Sequence, residues 1–228
     1  MKILIHVTIA LLILFGASCK KSKNTDPDPV LTDSALTIPY ASYTKLSPGN
    51  YWIYEEYNMD SATDPGGATG IYDSAFVEKD TLIGYAWYHK YMSPVRSGSA
   101  ISYIPSYLRD SLDYTVDNYG YIMFSSIDFT HVFRTVPYTN PIAGITDTIN
   151  ITYQMGFKDA TVTVPAGTFK TSTFRKIYNL PAPKYMYGPQ RDYDYCYAEN
   201  IGLVKATTGL YIFTQAITER RLVRFHVR

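Results

Sequence analysis

The residues of this chain that could do chemistry are three of its four histidines, since His6 lies in the N-terminal apolar run, together with one closely spaced acid pair and one internal cysteine. His89, His131 and His226 are far apart in sequence and lack the short spacings of zinc-binding motifs, so a zinc site would have to be assembled by the fold. The alternative is that they are ordinary surface or hydrogen-bonded strand histidines. The pattern predicts no metal site.

Two pairs of acidic residues differ in spacing, so in a β-strand one pair would share a face and the other would not. Asp192 and Asp194 are two apart, so in a strand their side chains share one face, about 7 Å apart. Such a pair could bind Ca²⁺ or act as an acid and a base, and a solvated strand face explains it equally well. Glu55 and Glu56 are adjacent, so we expect them on opposite faces, where they cannot pair.

Cys196 is surrounded in sequence by acidic and tyrosine residues rather than by cations. A nucleophilic cysteine needs a nearby histidine and an electropositive setting, so we expect Cys196 to be a small buried apolar residue. No G-x-S-x-G, Walker or G-x-G-x-x-G motif is present. The sequence therefore predicts no catalytic residue and no cofactor, and we expect a protein that is not an enzyme.

Aromatic residues are the remaining candidates for a binding site, since the chain has 23 tyrosines. They cluster in three stretches: Tyr51, Trp52, Tyr54, Tyr57; Tyr85, Trp87, Tyr88, Tyr91; and Tyr185, Tyr187, Tyr193, Tyr195, Tyr197. They could line a cavity for a lipid, form a stacking platform for sugars, or simply fill the core. As candidate ligand-binding residues we select Trp52, Tyr54, Trp87, Tyr193 and Tyr195.

Composition narrows the class of protein that carries these residues. Of 228 residues, 46% are hydrophobic and 18% charged, which is typical of a globular chain. The formal net charge is +1, and removing residues 1–18 takes away one cation, Lys2, leaving a net charge of zero. A nucleic-acid-binding protein needs a basic surface, so this class is excluded.

The N-terminus has the layout of a secretory signal peptide. Lys2 is followed by the apolar run 3–15 and by Gly16-Ala17-Ser18, with Cys19 directly after them. Ala17-Ser18-Cys19 resembles the lipobox of bacterial lipoproteins, with Gly16 where that motif usually has leucine. The resemblance implies that residues 1–18 are removed and that Cys19 carries a diacylglyceryl group and an N-acyl chain such as palmitate, making the membrane its partner.

Residues 19–34 are polar and contain two prolines, so we expect a flexible tether from the lipidated Cys19 to the folded part. In lipoproteins of the Bacteroidetes type, acidic residues soon after the cysteine resemble a surface-export signal. Here Lys20, Lys21 and Lys23 come first, while Asp26 and Asp28 come late. This order favours a place in the cell envelope on the periplasmic side of the outer membrane, with surface exposure as the alternative.

Residues 35–228 read as a single all-β domain of about 10–13 antiparallel strands, forming a curved half-barrel or a barrel. Runs typical of strands, separated by turns, are residues 50–57, 71–79, 82–92, 101–108, 111–117, 121–125, 131–136, 145–157, 160–164, 168–178, 191–198, 203–207 and 210–227. Outside the signal peptide, the only helix we expect is a short turn at 126–130.

Three segments give sharper predictions. Val164-Pro165-Ala166-Gly167-Thr168 joins two strand-like runs and predicts a tight hairpin, and residues 117–120 predict another turn. In the last run Val223, Phe225 and Val227 share a dry face, while Arg220 and Arg224 share the wet one. Polar residues break the dry pattern in the middle of this run, which indicates a β-bulge or an exposed section.

Three motifs carry a resemblance over roughly residues 47–207. PGNYWIYE, VPAGTFKT and YAENIGLVK, in this order, resemble uncharacterised lipoproteins of the Bacteroidetes type, which in turn resemble lipoprotein carriers and lipocalin-like barrels. The resemblance implies a fold and transfers no catalytic residue. We expect a non-enzymatic, membrane-anchored envelope lipoprotein that binds an apolar ligand on an aromatic-lined sheet. The alternatives are a glycan-binding surface lipoprotein and a purely structural envelope protein.

Overall fold

A computed structural model describes residues 42–59, 66–97, 100–140, 145–180, 190–210 and 217–228. The signal peptide, Cys19 and the tether lie outside these ranges. All regular structure within them is β-strand. Among the same residues, no helix has the length and apolar character that crossing a membrane requires.

The described residues form thirteen strands in one antiparallel sheet. The strands are β1 (Tyr51–Met59), β2 (Gly67–Ile83), β3 (Ala86–Ser97), β4 (Ala100–Ser111), β5 (Tyr114–Asp117), β6 (Ile122–Ser125), β7 (Val132–Asn140), β8 (Ile145–Met155), β9 (Ala160–Val164), β10 (Gly167–Asn179), β11 (Gln190–Ala198), β12 (Gly202–Leu210) and β13 (Ile217–His226). The order across the sheet is β6-β5-β4-β3-β2-β1-β13-β12-β11-β10-β8-β7, and β9 pairs with β10.

The sheet curls into a nearly closed barrel, which confirms the predicted fold class. Phe124 of β6 packs against Met155 of β8 and Phe174 of β10, although these strands lie near opposite edges of the sheet. The Ser125 backbone N–H also donates to Met155 Sδ at 3.3 Å. Apolar packing therefore brings the two edges together, which protects edge strands from unwanted pairing.

The first and last strands pair with each other, and a bulge interrupts their register. Ile53 lies opposite Arg224, but Tyr54 lies opposite Leu222, so Val223 has no partner on β1. A bulge was one of the two alternatives predicted for the last run, and it lies at Val223, C-terminal to the polar residues that suggested it. It also corrects the prediction for Arg220, because the extra residue reverses the alternation and turns this side chain towards the barrel interior, where it lies near the Tyr54 ring.

The largest buried apolar cluster fills the half of the barrel nearest to Ser42, where the described chain begins. It includes Trp52, Val77, Val204 and Leu222, each at most 1% exposed. The segment after Ser42 packs onto this end as well, with the Thr44 hydroxyl donating to Asp110 at 3.0 Å. This end of the barrel is therefore closed by packed side chains.

Both predicted tight turns are confirmed. The hairpin between β9 and β10 has Pro165 and Ala166 at its tip, and Val164 lies opposite Gly167. The turn at 117–120 is held by the Gly120 N–H, which donates to Asp117 O at 3.0 Å.

Two predicted runs each prove to be parts of two strands. Residues 82–92 are divided by a turn at Gly84 and Tyr85, where Gly84 has φ +59°. Residues 210–227 are divided between β12 and β13, since Leu210 pairs with Ile217 in antiparallel register. In both cases the apolar pattern continues across the turn, so the alternation concealed the reversal.

The helical turn predicted at 126–130 is wrong. Side chains bind the backbone there instead: Ser125 Oγ accepts from the Asp128 N–H at 2.9 Å, and Asp128 Oδ1 accepts from the Thr130 and His131 N–H groups, both at 3.2 Å. Short polar side chains of this kind compete with helical hydrogen bonds.

Gly202 offers a test of the close packing around Trp52. A Cβ atom at Gly202 would lie 2.8 Å from Trp52 Nε1, and the backbone φ is +105°. We expect Gly202→Ala to lower the free energy of unfolding by about 2–4 kcal/mol, because it adds overlap to backbone strain. The measurement is urea denaturation, with Gly67→Ala as control, since a Cβ there meets no atom within 4 Å. Equal stability of the two variants would contradict this packing.

Candidate functional site

A partly open cavity of about 500 Å³ lies in the half of the barrel away from Ser42. Its wall contains the β1 residue Glu56, which lies four residues, about 13 Å, along the strand from the packed Trp52. The lining residues are Glu56, Asp73, Pro94, Val95, Arg96, Tyr193, Tyr195, Thr207, Thr208, Thr218 and Arg220. Charged, hydroxyl-bearing and aromatic side chains therefore meet in one space.

Arg220 is the central charged group of this cavity. Its side chain is 11% exposed, and its guanidinium lies 5.1 Å from the centre of the Tyr54 ring. Its Nη1 is 4.0 Å from Asp73 Oδ1, too far for a hydrogen bond. The two groups therefore attract each other electrostatically but do not form a hydrogen bond.

Several polar atoms at this cavity are buried and unpaired. Within the described part of the chain, Arg220 Nε, Arg96 Nε and Asp73 Oδ1 have no hydrogen-bond partner. A buried polar group without a partner costs about 1–3 kcal/mol. These atoms give the cavity unused capacity both to donate and to accept hydrogen bonds.

The protonation states follow from burial. Burial raises the pKa of Asp73, which Arg220 and Arg96 partly oppose and Glu56 reinforces. Burial also raises the pKa of Tyr91 and raises that of Tyr54 well above its ordinary range. The phenols near Arg220 are therefore neutral and present dipoles and ring faces rather than negative charge.

The five predicted ligand-binding residues fall into three places. Tyr193 and Tyr195 line the cavity. Trp52 and Tyr54 are fully buried in the packed half of the barrel, Tyr54 beside Arg220, and their polar atoms donate to the Ile201 and Leu203 carbonyls at 2.6 and 2.9 Å. Trp87 is 65% exposed near the turn between β2 and β3, at the other end of the barrel.

Sequence reasoning missed the charged residues of the cavity. Asp73 carried a signal, because it shares the parity of the buried Ala75 and Val77 in a strand-like run. Arg220 carried no such signal, because the bulge at Val223 reverses the alternation and places Arg220 on the face opposite to the one that the sequence predicts. Glu56 was correctly expected to point away from Glu55, and only Glu56 lines the cavity.

The acid pair of β11 is held by an arginine of the neighbouring strand. Arg175 Nε and Nη2 donate to Asp194 at 2.6 and 2.8 Å, and its Nη1 lies 3.1 Å from Asp192. The two carboxylates do share a face, as predicted. Their contacts with Arg175 describe an ion-paired surface rather than the solvated face considered from sequence.

The cysteine and histidines have structural surroundings. Cys196 is 5% exposed, and its pKa is raised chiefly by burial, consistent with the expected apolar role. His89 and His131 pair with Asp80 and Asp128 at 2.7 and 2.9 Å, while His226 stacks on Tyr51. In the described ranges, no group of three histidine, cysteine or acidic residues is placed to hold a metal ion.

Comparisons with known proteins found similarity only at the level of structure. No protein-family model and no curated protein matches the chain. A crystal structure from Parabacteroides distasonis ATCC 8503, described as that of a lipoprotein, is similar with a TM-score of 0.46 and 12% identity. A second one, described as an exported protein with a YmcC-like fold from Bacteroides fragilis NCTC 9343, has a TM-score of 0.43 and 12% identity. Each comparison covers 82% of this chain and 99% of the other.

Proposed function

We propose that this chain is a lipid-anchored lipoprotein of the bacterial cell envelope, and that its barrel binds a hydroxyl-rich ligand, a saccharide unit, in the interior cavity. The protein acts by binding rather than by catalysis. The observation that carries the proposal is the set of buried, unpaired polar atoms of Arg220, Arg96 and Asp73 around one cavity.

These atoms favour a saccharide over the apolar ligand expected from sequence. An acyl chain in this space would leave Arg220 Nε and Asp73 Oδ1 unpaired and exclude water from them, which is costly. A sugar hydroxyl both donates and accepts, so it can bind a carboxylate and a guanidinium together. The glycan-binding alternative is thus the better match, with its site inside the barrel rather than on an exposed aromatic surface.

The aromatic residues support the same ligand class. Tyr193 and Tyr195 lie in the wall, where a ring face can cover the apolar side of a sugar. Lys176 Nζ donates to the Tyr195 hydroxyl at 3.1 Å and holds this ring in place. A volume of about 500 Å³ is within the range of small-molecule sites.

The envelope location and the anchor depend on the N-terminus. The support is the signal-peptide layout of residues 1–18 and the lipobox-like Ala17-Ser18-Cys19. The polar, proline-containing residues 19–34 supply the length of chain that a tether between an acylated cysteine and a folded barrel requires. We place the protein on the periplasmic side of the outer membrane, because lysines rather than acidic residues follow Cys19.

Replacing the anchoring thiol tests the location. We expect Cys19→Ser to move the protein from the membrane fraction to the soluble fraction, because the attachment site for acyl chains is lost. Cys196→Ser is the matched control and should stay in the membrane fraction. Unchanged membrane attachment of Cys19→Ser would contradict the anchor.

Two adjacent glutamates allow a matched test of the cavity. The mature protein is first applied to a glycan array, and the oligosaccharide that binds best is then titrated by calorimetry. Glu56 lines the cavity and Glu55 faces away from it. We expect Glu56→Gln to weaken binding about tenfold, because one charge-assisted hydrogen bond is weakened, and Glu55→Gln to bind like the wild type.

The same pair of variants can refute the cavity as the binding site. An array without any bound glycan, or equal affinities for both variants and the wild type, would contradict the proposed ligand. Urea unfolding of both variants verifies that a loss of binding does not come from a loss of fold.

A further inference from the structure

The end of the barrel where the described chain begins carries exposed apolar side chains. Ser42 lies at this end, because its carbonyl accepts from the Asn200 N–H, in the turn between β11 and β12, at 2.9 Å. The antiparallel strand order brings the turn at 84–85 and the turn at 112–113 to the same end. The start of the chain and these turns therefore share one face of the molecule.

Four side chains form what we call the apolar rim: Leu82, Tyr85, Trp87 and Leu112. Tyr85 is fully exposed, and the other three are 55–70% exposed. Leu82 lies opposite Trp87 across the hairpin, with Tyr85 at its tip. His89 pairs with Leu108 and Ser111 with Tyr114, so the turn that carries Leu112 is next to this hairpin.

The position of the rim matters because of where the lipid would be attached. Ser42 follows Cys19 by 23 residues. A chain of this length spans about 75 Å fully extended and about 25 Å when relaxed. If Cys19 is acylated, as the proposed function has it, the end of the barrel that bears Ser42 is on average the end nearest to the membrane.

We propose that the apolar rim contacts the surface of the lipid bilayer. Tryptophan and tyrosine favour the boundary between the headgroups and the acyl chains, because their rings are apolar and each carries one hydrogen-bonding group. Leucines at the same level bury further apolar surface. The contact holds the barrel upright, so that the cavity, in the opposite half, lies away from the membrane.

Ile104 serves as the control position, because it is 54% exposed at the opposite ends of β3 and β4. The β3–β4 register, in which Ile104 lies opposite Ser93, places it far from the turns near Ser42. The proposal therefore predicts bilayer contact for the apolar rim and none for Ile104.

The two tryptophans make this contact measurable by fluorescence. The mature acylated protein is inserted into vesicles of phosphatidylcholine with or without bromine on the acyl chains, since bromine quenches nearby tryptophans. Trp87 is exposed and Trp52 is buried. We expect bromine to reduce the emission of the wild type, and to have little effect on Trp87→Phe and on the double variant Trp87→Phe with Ile104→Trp.

Vesicle flotation in the same samples separates the anchor from the rim. Protein that floats with the vesicles while Trp87 remains unquenched contradicts the rim contact and leaves the anchor intact. Protein that does not float contradicts the anchor and, with it, the rim contact. If the indole introduced by Ile104→Trp is quenched to the same extent as Trp87, the proposal is also contradicted, because both ends would then meet the bilayer equally.

Discussion

The pairing of β1 with β13 is the constraint on which the rest of the structure depends. It joins the first strand to the last, Tyr51 to His226, and so makes one sheet out of two halves. The bulge at Val223 within this pairing decides which side chains enter the barrel. On the C-terminal side of the bulge, Phe225 lies opposite Trp52. On its N-terminal side, Leu222 and Arg220 lie opposite Tyr54 and Glu56. The unpaired Val223 thereby turns the Arg220 side chain into the barrel interior.

The barrel has a closely packed apolar half and a half that contains the cavity with charged lining, and the buried Arg220 lies where the two meet. Near Ser42, indole, phenol and aliphatic side chains pack closely and leave little room, as the contact between Gly202 and Trp52 illustrates. Beyond Tyr54, a guanidinium and a carboxylate remain 4.0 Å apart and line open space. Burying such groups costs several kcal/mol unless they are fully bonded. Under the proposed function, a bound ligand would provide the missing hydrogen-bond partners.

The sequence was a good guide to local structure and a poor guide to the site. Period-two alternation and the Pro165-Ala166 turn predicted antiparallel strands and a tight hairpin, because these depend on neighbours in the chain. The reversals at Gly84 and after Leu210 were missed, since apolar residues continue across both. Arg220 was assigned to the wet face, because a bulge depends on the partner strand and cannot be located from one strand alone. Asp73 joins Arg220 only through pairing between distant strands.

The most direct test of this account is a high-resolution crystal structure of the mature protein, in which the surroundings of Arg220 are inspected. The account predicts that the guanidinium points into the barrel and that ordered water or a bound ligand lies within about 3 Å of Arg220 Nε and of Asp73 Oδ1. A guanidinium turned out of the barrel, or a cavity filled by packed side chains, would contradict the claim that the barrel interior is a polar binding site.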